Sequence, residues 1–409
     1  MKLRGITKLS FNKPLKAHVV IFDSYSERHF RPIFQDLQPL VFDVSLPKVN
    51  VWILLTSLKF GFPSLRNYLC AFIERSRASL VVTTIDNSPI IYQVKNDLPN
   101  VKILVVQNGR RSTFGKSPFT SFTDELKRQQ RIRPNVVDYY FTFGSTEQVQ
   151  FEPYISARFI PVGNFKNNYL TSEDAPESSH VLTYISSYPN FDDNSSGTVD
   201  SDNPYLFFED QPISYRQYFQ AEVVVARWLA NYCAKNNLSF QIAGKRSSRT
   251  PQEEAFFRSQ IPGDWRFEAC NSESDSYRIL FRSRFVASVD SSLAYEMFGR
   301  GKRTLFFTVR GEFTNTPRLL CTKFGYPTLV NESGPMWTNE ASENQFERVA
   351  QFVTSCSEAE WKAVVEKYSP IVMKFDPFNS LITETVRKCL ATHSPDMTQM
   401  RSLIAEIYG

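Results

Sequence analysis

The clearest chemical signal in the sequence is the stretch 290–304, which reads DSSLAYEMFGRGKRT and follows a short apolar run. Ser291 and Ser292 stand where a helix would begin, and the free backbone N–H groups and dipole of a helix start favour a phosphate. Glu296 follows about one turn later, placed to accept hydrogen bonds from two ribose hydroxyls. An ordinary helix with a serine cap, an acid in its first turns and Gly299 at its end explains the same residues.

A second candidate is the basic loop 244–249, which reads GKRSSR and follows the apolar run SFQIA. A loop at the carboxyl end of a strand faces the ligand crevice in open α/β sheets. Lys245 and Arg246 could therefore neutralise the phosphate of a leaving nucleotide, since Arg binds phosphate through paired hydrogen bonds. A solvated surface turn is the alternative interpretation.

The composition indicates a globular protein with a mild surplus of positive charge. Its 409 residues are 42% hydrophobic and 22% charged, with a formal net charge of +5. This surplus fits an enzyme with anionic ligands or one near an anionic membrane face. It is smaller than that of a typical nucleic-acid binder, so no nucleic-acid partner is expected.

Cysteine and histidine usage predicts a cytoplasmic protein without a metal site. The six cysteines form no CxxC pair and the four histidines are far apart, so zinc is not expected. The triplet Asp200–Asp202 resembles a DxD metal signature, but it lies in a polar loop rather than after an apolar strand. We therefore expect neither a metal nor a cofactor. No run of about 18 apolar residues occurs, which predicts no transmembrane helix.

Short apolar runs alternate with helical stretches along most of the chain, which predicts parallel strands in doubly wound α/β domains. Residues 1–168 form one such series and residues 181–375 a second, with a polar linker at 169–180 and a helical segment at 376–409. The predicted fold class is therefore α/β, with two Rossmann-like domains facing a central cleft, followed by C-terminal helices. Such a cleft is the default active site.

Two stretches carry local predictions of their own. Residues 88–99 (SPIIYQVKNDLP) favour a helix that Pro99 ends, since proline cannot continue one. Residues 49–58 (VNVWILLTSL) fit either a strand or the start of a helix. The segment 127–133 (KRQQRIR) is strongly basic and could contact anionic lipid, although a solvated helix end explains it equally.

The motif that begins at Ser291 resembles the nucleotide-sugar motif in the second domain of GT-B glycosyltransferases, especially those of bacterial O-antigen and capsule biosynthesis. In that group a helix containing Ser/Thr-x-x-x-Glu holds the donor nucleotide. The resemblance implies that Ser291 and Ser292 contact donor phosphate and that Glu296 contacts the ribose. Three further short similarities support it: Gln107–Gly109, Gly163–Asn168 and Gly334–Trp337. Some Kdo transferases, which use a CMP-linked sugar, have modified versions of this architecture and are a possible relation.

Sugar transfer needs a base for the acceptor hydroxyl, or a carboxylate nucleophile if configuration is retained. Asp86 follows a predicted strand and suits the base role, although it could equally cap the next helix. Asp210, in LFFEDQP, follows an aromatic run whose rings could shift its pKa; an ordinary loop acid is the alternative. Gln107 and Asn108 could orient an acceptor or simply form a turn.

The function expected from these features is metal-independent sugar transfer from a nucleotide-sugar donor to a glycan or lipid-linked acceptor in bacterial surface-polysaccharide assembly, including lipopolysaccharide. The donor would bind the second domain and the acceptor the first. The expected location is the cytoplasm, with peripheral contact to the inner membrane. A non-catalytic scaffold, a nucleotide-sugar epimerase and a polyol-phosphate transferase remain alternatives, and the residues leave the donor base, the sugar and the stereochemistry open.

Overall fold

The computed structural model describes residues 8–45, 48–111, 122–170, 178–188, 201–208, 211–245, 250–272, 274–316, 322–391 and 396–408. The chain divides into two compact units. The first unit comprises residues 1–111, 122–170 and 376–409, and the second comprises 112–121 and 171–375. The chain thus returns to the first unit at Asp376. No helix of the described ranges is both long and apolar enough to cross a membrane.

Parallel strands form the centre of the first unit. Two short strands, β1 (Lys8–Ser10) and β4 (Lys48–Asn50), pair with each other outside the main sheet. The main sheet has the order β3-β2-β5-β6-β7-β8, all parallel. Its strands are β2 (Val19–Phe22), β3 (Leu40–Phe42), β5 (Leu80–Thr83), β6 (Lys102–Val106), β7 (Val136–Thr142) and β8 (Ser156–Pro161). Strands β2 and β5 are buried along their whole length, as expected for a sheet with both faces covered.

The helices between these strands are α1 (Ser24–Phe30), α2 (Val51–Ser57), α3 (Leu65–Ser76), α4 (Phe122–Gln130) and α5 (Ser145–Phe151). The stretch 49–58 contains both predicted alternatives, because β4 ends at Asn50 and the Asn50 side chain then caps α2. The helix predicted over 88–99 is present only in part, and it is not an α-helix. That stretch holds a 3-10 helix, Ile91–Asn96, whose residues 91–94 are all buried, a burial pattern that an amphipathic α-helix does not have.

The second unit contains a sheet with the order β13-β12-β9-β14-β15-β17-β16 and a separate hairpin of β10 and β11. All strands of this sheet are parallel except β16. The strands are β9 (Ser178–Ile185), β10 (Pro204–Phe208), β11 (Gln211–Ser214), β12 (Ser239–Ala243), β13 (Arg266–Glu268), β14 (Ser283–Ser288), β15 (Arg303–Phe307), β16 (Ser333–Gly334) and β17 (Trp337–Thr338). Strand β9 begins inside the stretch that we expected to be a linker.

The helices of the second unit are α6 (Tyr215–Lys235), α7 (Thr250–Gln260), α8 (Asp275–Arg282), α9 (Ser292–Gly299), α10 (Arg310–Phe313), α11 (Glu343–Ser355) and α12 (Glu358–Val372). Two of them begin with a capping box, in which a serine and the third helical residue bond each other's backbone. Ser214 and Gln217 form this box in α6, and Ser357 and Glu360 form it in α12.

The last two helices, α13 (Ser380–Leu390) and α14 (Met397–Tyr408), pack in the first unit. Their residues Ile382, Val386 and Ile404 share a hydrophobic core with strand β2. Arg387 reinforces this packing, since its guanidinium binds both carboxylate oxygens of Asp36 at 2.8 and 2.6 Å. The helical segment predicted after residue 375 is therefore part of the first unit's core.

Candidate functional site

The carboxyl edge of the second unit's sheet has a topological switch point between β9 and β14. From β9 the chain proceeds through β12 to β13 on one side, and from β14 it proceeds through β15 to β17 on the other. Ligands of doubly wound sheets bind outside the carboxyl ends of the strands at such a point. We call the segments that follow these strand ends, 186–188, 244–245 and 290–292, the switch-point edge. Ser291, Ser292 and Lys245, three of the predicted donor-binding residues, lie on it.

Helix α9 begins on this edge without a side-chain cap. Ser291 is its N-cap residue, in extended conformation, but its hydroxyl makes no capping hydrogen bond. The Ser291 N–H instead donates to the hydroxyl of Ser288 at 2.9 Å. Ser292, the first helical residue, is exposed. The prediction that a helix begins here is confirmed. The Ala294 N–H donates to the Ser291 carbonyl at 3.1 Å, but no first-turn N–H donates to the Ser291 hydroxyl, and such a helix start suits an anion.

A buried ion cluster fixes the residue that precedes this helix. The Arg310 guanidinium donates to both carboxylate oxygens of Asp290, from Nε at 2.7 Å and from Nη2 at 2.9 Å. Nη2 also donates to Glu222 Oε1 at 2.6 Å, and Nη1 donates to the Tyr218 carbonyl. The guanidinium carbon lies 3.9 Å from the centre of the Tyr218 ring. Arg310 starts α10, Glu222 lies in α6 and Asp290 precedes α9. This one side chain therefore joins α10, α6 and the segment that leads into α9.

The charges in this cluster stabilise one another. Burial alone would lower the pKa of Arg310, but the nearby Asp290 and Tyr218 outweigh it and hold that pKa well above its usual value. Burial raises the pKa of Glu222, and Arg310 opposes that rise. The hydroxyl of Tyr184 in β9 donates to Glu222 Oε2, and the Ser187 N–H donates to the same oxygen at 3.4 Å. Arg310 makes four hydrogen bonds to Asp290, Glu222 and the Tyr218 carbonyl, so it acts as a brace.

Glu296 lies one turn into α9 and is almost fully buried, at 3% exposure. Its Oε2 accepts a hydrogen bond of 2.6 Å from the Tyr277 hydroxyl of α8. Burial lowers the pKa of the nearby Arg300 to about 10, while Tyr277 and Glu296 act against that shift. The Glu296 carboxylate therefore joins α9 to α8, and its expected contact with ribose stays a prediction.

The basic loop begins at the carboxyl end of β12 and is held by a glutamate. The Lys245 N–H donates to both carboxylate oxygens of Glu253 in α7, at 3.0 and 3.1 Å, and the Lys245 side chain is exposed. Burial raises the pKa of Glu253 to about 7, although hydrogen bonds from Ser186 and from the Lys245 N–H lower it. Glu253 thus connects two segments of the switch-point edge. Arg246 lies outside the described residues.

In the first unit, Asp86 follows β5 and has no exposed surface. Its carboxylate pairs with the Arg111 guanidinium and accepts the Asn108 N–H and the Tyr140 hydroxyl, each at 3.3 Å. Burial raises the pKa of Asp86, and Arg111 opposes the rise. One of our alternatives had Asp86 capping the following helix. That alternative is wrong, because the 3-10 helix there has no side-chain cap. Its role as a base stays a prediction, and so does acceptor binding by Asn108.

Gln107 follows β6 and is buried by bonds within the same region. Its side-chain oxygen accepts the Phe143 N–H at 2.9 Å, and its side-chain nitrogen donates to the Gly109 carbonyl at 3.2 Å. These bonds hold the ends of β6 and β7 together. Acceptor binding by Gln107 stays a prediction. Asp210, the other predicted catalytic acid, lies outside the described residues.

Metal ligands are not grouped in the part of the chain that the structure describes: no three His, Cys, Asp or Glu side chains there could hold one ion. Within the triplet 200–202, Asp202 pairs with Arg216 at 3.2 Å, and residue 200 lies outside the described residues. The expectation of a metal-free and cofactor-free enzyme stays a prediction.

Three residues of the second unit's site were missed in the sequence: Arg310, Glu222 and Glu253. Arg310 is the third residue after the apolar strand β15, and Glu222 is a single acid within the apolar run AEVVVA. A lone charge in a buried stretch implies a partner, which is the signal that was available. The identity of that partner was not, since Glu222 and Arg310 are 88 positions apart.

Comparison with known proteins places the chain in a family. Residues 104–390 match the model of a family described as "putative O-antigen biosynthesis protein". The chain belongs to this family. The matched region includes the switch-point edge, Glu296 and the predicted acceptor residues, whereas Asp86 lies before it. A search of curated proteins found none that matches.

Solved structures resemble the chain over nearly its whole length. The crystal structure of a "putative UDP-N-acetylglucosamine 2-epimerase" from Listeria monocytogenes has a TM-score of 0.51 at 11% identity, covering 95% of this chain and 98% of that one. A variant of the wall teichoic acid polymerase TagF gives 0.49 at 12% identity, with 96% and 90% covered. The UDP-GlcNAc 2-epimerase of Neisseria meningitidis bound to UDP-GlcNAc gives 0.41 at 12%, with 93% and 100% covered. The fold is GT-B-like, with two Rossmann-like α/β units and C-terminal helices, so the predicted fold class is confirmed.

Proposed function

We propose that this protein transfers a sugar from a nucleotide-sugar donor to a glycan or lipid-linked acceptor in bacterial surface-polysaccharide biosynthesis, including that of lipopolysaccharide O-antigen. The observation that carries the proposal is the uncapped start of α9 at the switch point of a Rossmann-order sheet, braced by Arg310. Membership of an O-antigen biosynthesis family supports the pathway. The second unit would bind the donor, and the first the acceptor.

The donor phosphate would bind the first-turn N–H groups of α9 and the hydroxyls of Ser291 and Ser292. A helix start stabilises an anion by about 0.3–1 kcal/mol when exposed and more when partly buried. Lys245 and Arg246 would supply the positive charge that stabilises the leaving nucleotide in the transition state. Because the Arg310 guanidinium is already bonded to Asp290, Glu222 and the Tyr218 carbonyl, its part would be to keep this surface rigid rather than to touch phosphate.

The sequence predicts that Glu296 contacts ribose, but its burial favours a structural role in positioning α9. With Oε2 bonded to Tyr277, it would hold α9 at the correct angle against α8. We propose Glu296 as a positioning residue that acts on the donor through α9. A direct ribose contact would require the carboxylate to face the donor from a site that is 3% exposed.

Asp210 is our proposed catalytic carboxylate, and Asp86 a residue that shapes the acceptor region. The bonds from Asn108 and Arg111 to the buried Asp86 would fix the turn 107–111, which carries the proposed acceptor residues Gln107 and Asn108. We propose that no metal takes part. We also propose that the protein works in the cytoplasm at the inner membrane, and that any relation to Kdo transferases is limited to the shared fold type.

The test is to incubate the protein with UDP-, CMP-, GDP- and dTDP-linked sugars and a bacterial lipid extract, with and without EDTA. Release of free nucleotide together with sugar on the lipid fraction, unchanged by EDTA, is the expected result. Formation of an isomeric nucleotide sugar without release of nucleotide would instead establish epimerisation. Neither product with any donor would favour the scaffold alternative.

A further inference from the structure

The N-terminal part of the first unit carries an unusual number of exposed apolar side chains. Leu15 is 71% exposed, Phe11 68% and Leu58 55%, and large apolar residues are otherwise mostly buried in this chain. The exposed members of this region are Leu9, Phe11, Leu15, Trp52, Leu55, Leu58 and Phe62. Exposed apolar residues that lie together in one patch mark an interaction site.

Contacts between the two segments that carry these residues, 8–16 and 48–62, bring them together. Strand β1 pairs with β4 in the register Lys8 to Lys48. The indole N–H of Trp52 donates to the Phe11 carbonyl at 2.8 Å. Trp52, Leu55 and Leu58 are spaced three residues apart on α2 and its 3-10 continuation, so they share one side of that helix.

The same two segments are rich in positive charge and lack carboxylates. They contain five lysines, all exposed, and neither Asp nor Glu: Lys8, Lys13, Lys16, Lys48 and Lys59. Lys59 pairs with Glu74. Among the residues that the structure describes, the other four make no ion pair. We call these lysines, together with the seven apolar residues above, the apolar–basic surface.

A cavity of about 450 Å³ opens within this surface. Exposed Lys13, Leu15 and Lys48 contribute to its lining, and Phe42 and Ile53 are among its apolar wall residues. Asp43 also lines it, with its carboxylate bonded to the N–H and hydroxyl of Ser45 at 2.8 and 2.6 Å. An apolar cavity with lysines at its rim suits a hydrocarbon chain that carries an anionic head group.

We propose that the apolar–basic surface docks on the surface of an anionic lipid bilayer. Tryptophan, leucine and lysine side by side on one exposed surface are the composition of interfacial membrane elements. The charge decides between occupants: a second copy binding through the same surface would bring like charges together, whereas anionic lipid neutralises them. The basic segment 127–133, our earlier candidate for lipid contact, contains charge but only one apolar residue, Ile132.

This inference does not depend on the proposed chemistry, because membrane binding is measured without donor or acceptor. The full-length protein is sedimented with vesicles of phosphatidylethanolamine and phosphatidylglycerol, and with vesicles of phosphatidylcholine alone. We expect binding to the anionic vesicles that salt weakens, and at least about tenfold weaker binding to the neutral ones. Absence of binding to anionic vesicles, or equal binding to both kinds, would overturn the proposal.

Paired substitutions locate the surface. Leu55→Glu with Leu58→Glu should abolish vesicle binding, whereas Leu329→Glu, at a comparably exposed apolar residue of the second unit, should leave it unchanged. Lys13→Gln with Lys48→Gln should weaken binding about fivefold for each lysine removed. The control for charge is Lys362→Gln with Lys388→Gln, since both of these lysines are also exposed.

Circular dichroism melting of each variant separates loss of binding from loss of folding, and the substituted side chains are exposed in every case. Binding that survives the Leu55/Leu58 substitutions but is lost in Ile132→Glu would overturn the proposal in favour of the segment 127–133. A concentration-dependent dimer that the Leu55/Leu58 substitutions dissociate, seen by analytical ultracentrifugation, would identify a second copy as the occupant and would also overturn it.

Discussion

Arg310 holds a full positive charge in a place from which water is excluded, and its partner Glu222 is buried with it, whereas its partner Asp290 is 22% exposed. Replacing Arg310 by Met leaves Glu222 without its counter-ion, at 2% side-chain exposure. Breaking a buried pair in this way costs about 3–5 kcal/mol of folding free energy. We expect Arg310→Met to lose that amount of stability in urea unfolding.

The matched control for Arg310 is Arg216→Met, because Arg216 and its partner Asp202 are both exposed. An exposed ion pair contributes less than about 1 kcal/mol. A loss of similar size in the two variants would show that the Arg310 cluster does not brace the second unit's site.

Glu253 predicts a pH dependence of stability. Its pKa is raised from 4.5 to about 7 by burial, so the folded protein binds a proton more tightly than the unfolded chain. The resulting stabilisation is fully present below about pH 4.5 and is lost as the pH rises through about 7, by roughly 3 kcal/mol in all. Between pH 5 and pH 8, Glu253→Gln should therefore gain stability relative to the wild type. The control is Glu254→Gln, at the exposed neighbouring residue; a parallel pH profile for wild type and Glu253→Gln would disprove the assignment.

The role of Glu296 is tested through its partner. If Glu296 acts by holding α9 against α8, Tyr277→Phe removes the same 2.6 Å hydrogen bond and should weaken nucleotide affinity roughly twofold to tenfold. Glu296→Ala should weaken it further. The measurement is isothermal titration with the nucleotide that stabilises the wild type. Unchanged affinity in Tyr277→Phe beside a large loss in Glu296→Ala would instead indicate direct contact with the ribose.

Site residues could be predicted from the sequence where their neighbours along the chain are sufficient to place them. The serines at the start of α9 could be recognised because a strand end, two serines and an apolar helix follow one another directly. The partner of Glu222 could not, since side chains 88 positions apart meet only when the sheet has formed. The burial of Asp86 escaped prediction for the same reason, because Arg111 and Tyr140 reach it from other elements.

At the scale of elements, α9 is fitted closely between its neighbours. Gly299 is its last residue, and a Cβ there would lie 2.5 Å from the Met373 carbonyl oxygen at the end of α12. Backbone cannot yield cheaply, so overpacking of this kind costs about 1–3 kcal/mol. We expect Gly299→Ala to lower the free energy of unfolding by that amount.

Gly109→Ala is the control, since a Cβ there would meet only the end of the Arg111 side chain, at 3.5 Å. Its effect on stability should stay within about 1 kcal/mol. An equally small effect of Gly299→Ala would show that α9 can shift away from α12, which is incompatible with a helix held in one place for a ligand.

The elements themselves were largely predictable, because periodicity and caps are local. The alternation of apolar runs and helices predicted parallel sheets, and both units contain one, although β3, β16 and β17 were not predicted and β16 is antiparallel. The stretch 88–99 shows the limit of this approach. Its 3-10 helix lies between Pro89 and Pro99, and the burial of residues 91–94 on all sides is decided by packing rather than by local pattern.

At the scale of the molecule, the order of strands determines where a ligand can bind. Alternation alone implies a parallel sheet but does not state that β9 and β14 are neighbours, and their adjacency creates the switch point. Family membership then connects this GT-B-like chain to O-antigen biosynthesis. The central claim that follows is that the start of α9 binds the phosphates of a nucleotide.

The most direct test compares Ser292→Asp with Ser292→Asn in thermal unfolding with CMP, UDP, GDP, dTDP and ADP. A carboxylate at the first helical position stabilises the helix itself by about 0.3–1 kcal/mol, but it repels a phosphate at the same place. We predict that one nucleotide raises the melting temperature of the wild type and of Ser292→Asn by mass action. Ser292→Asp should melt at or above the wild-type temperature without nucleotide and bind that nucleotide at least about tenfold more weakly. A full nucleotide shift in Ser292→Asp, or no shift of the wild type by any nucleotide, would contradict the account.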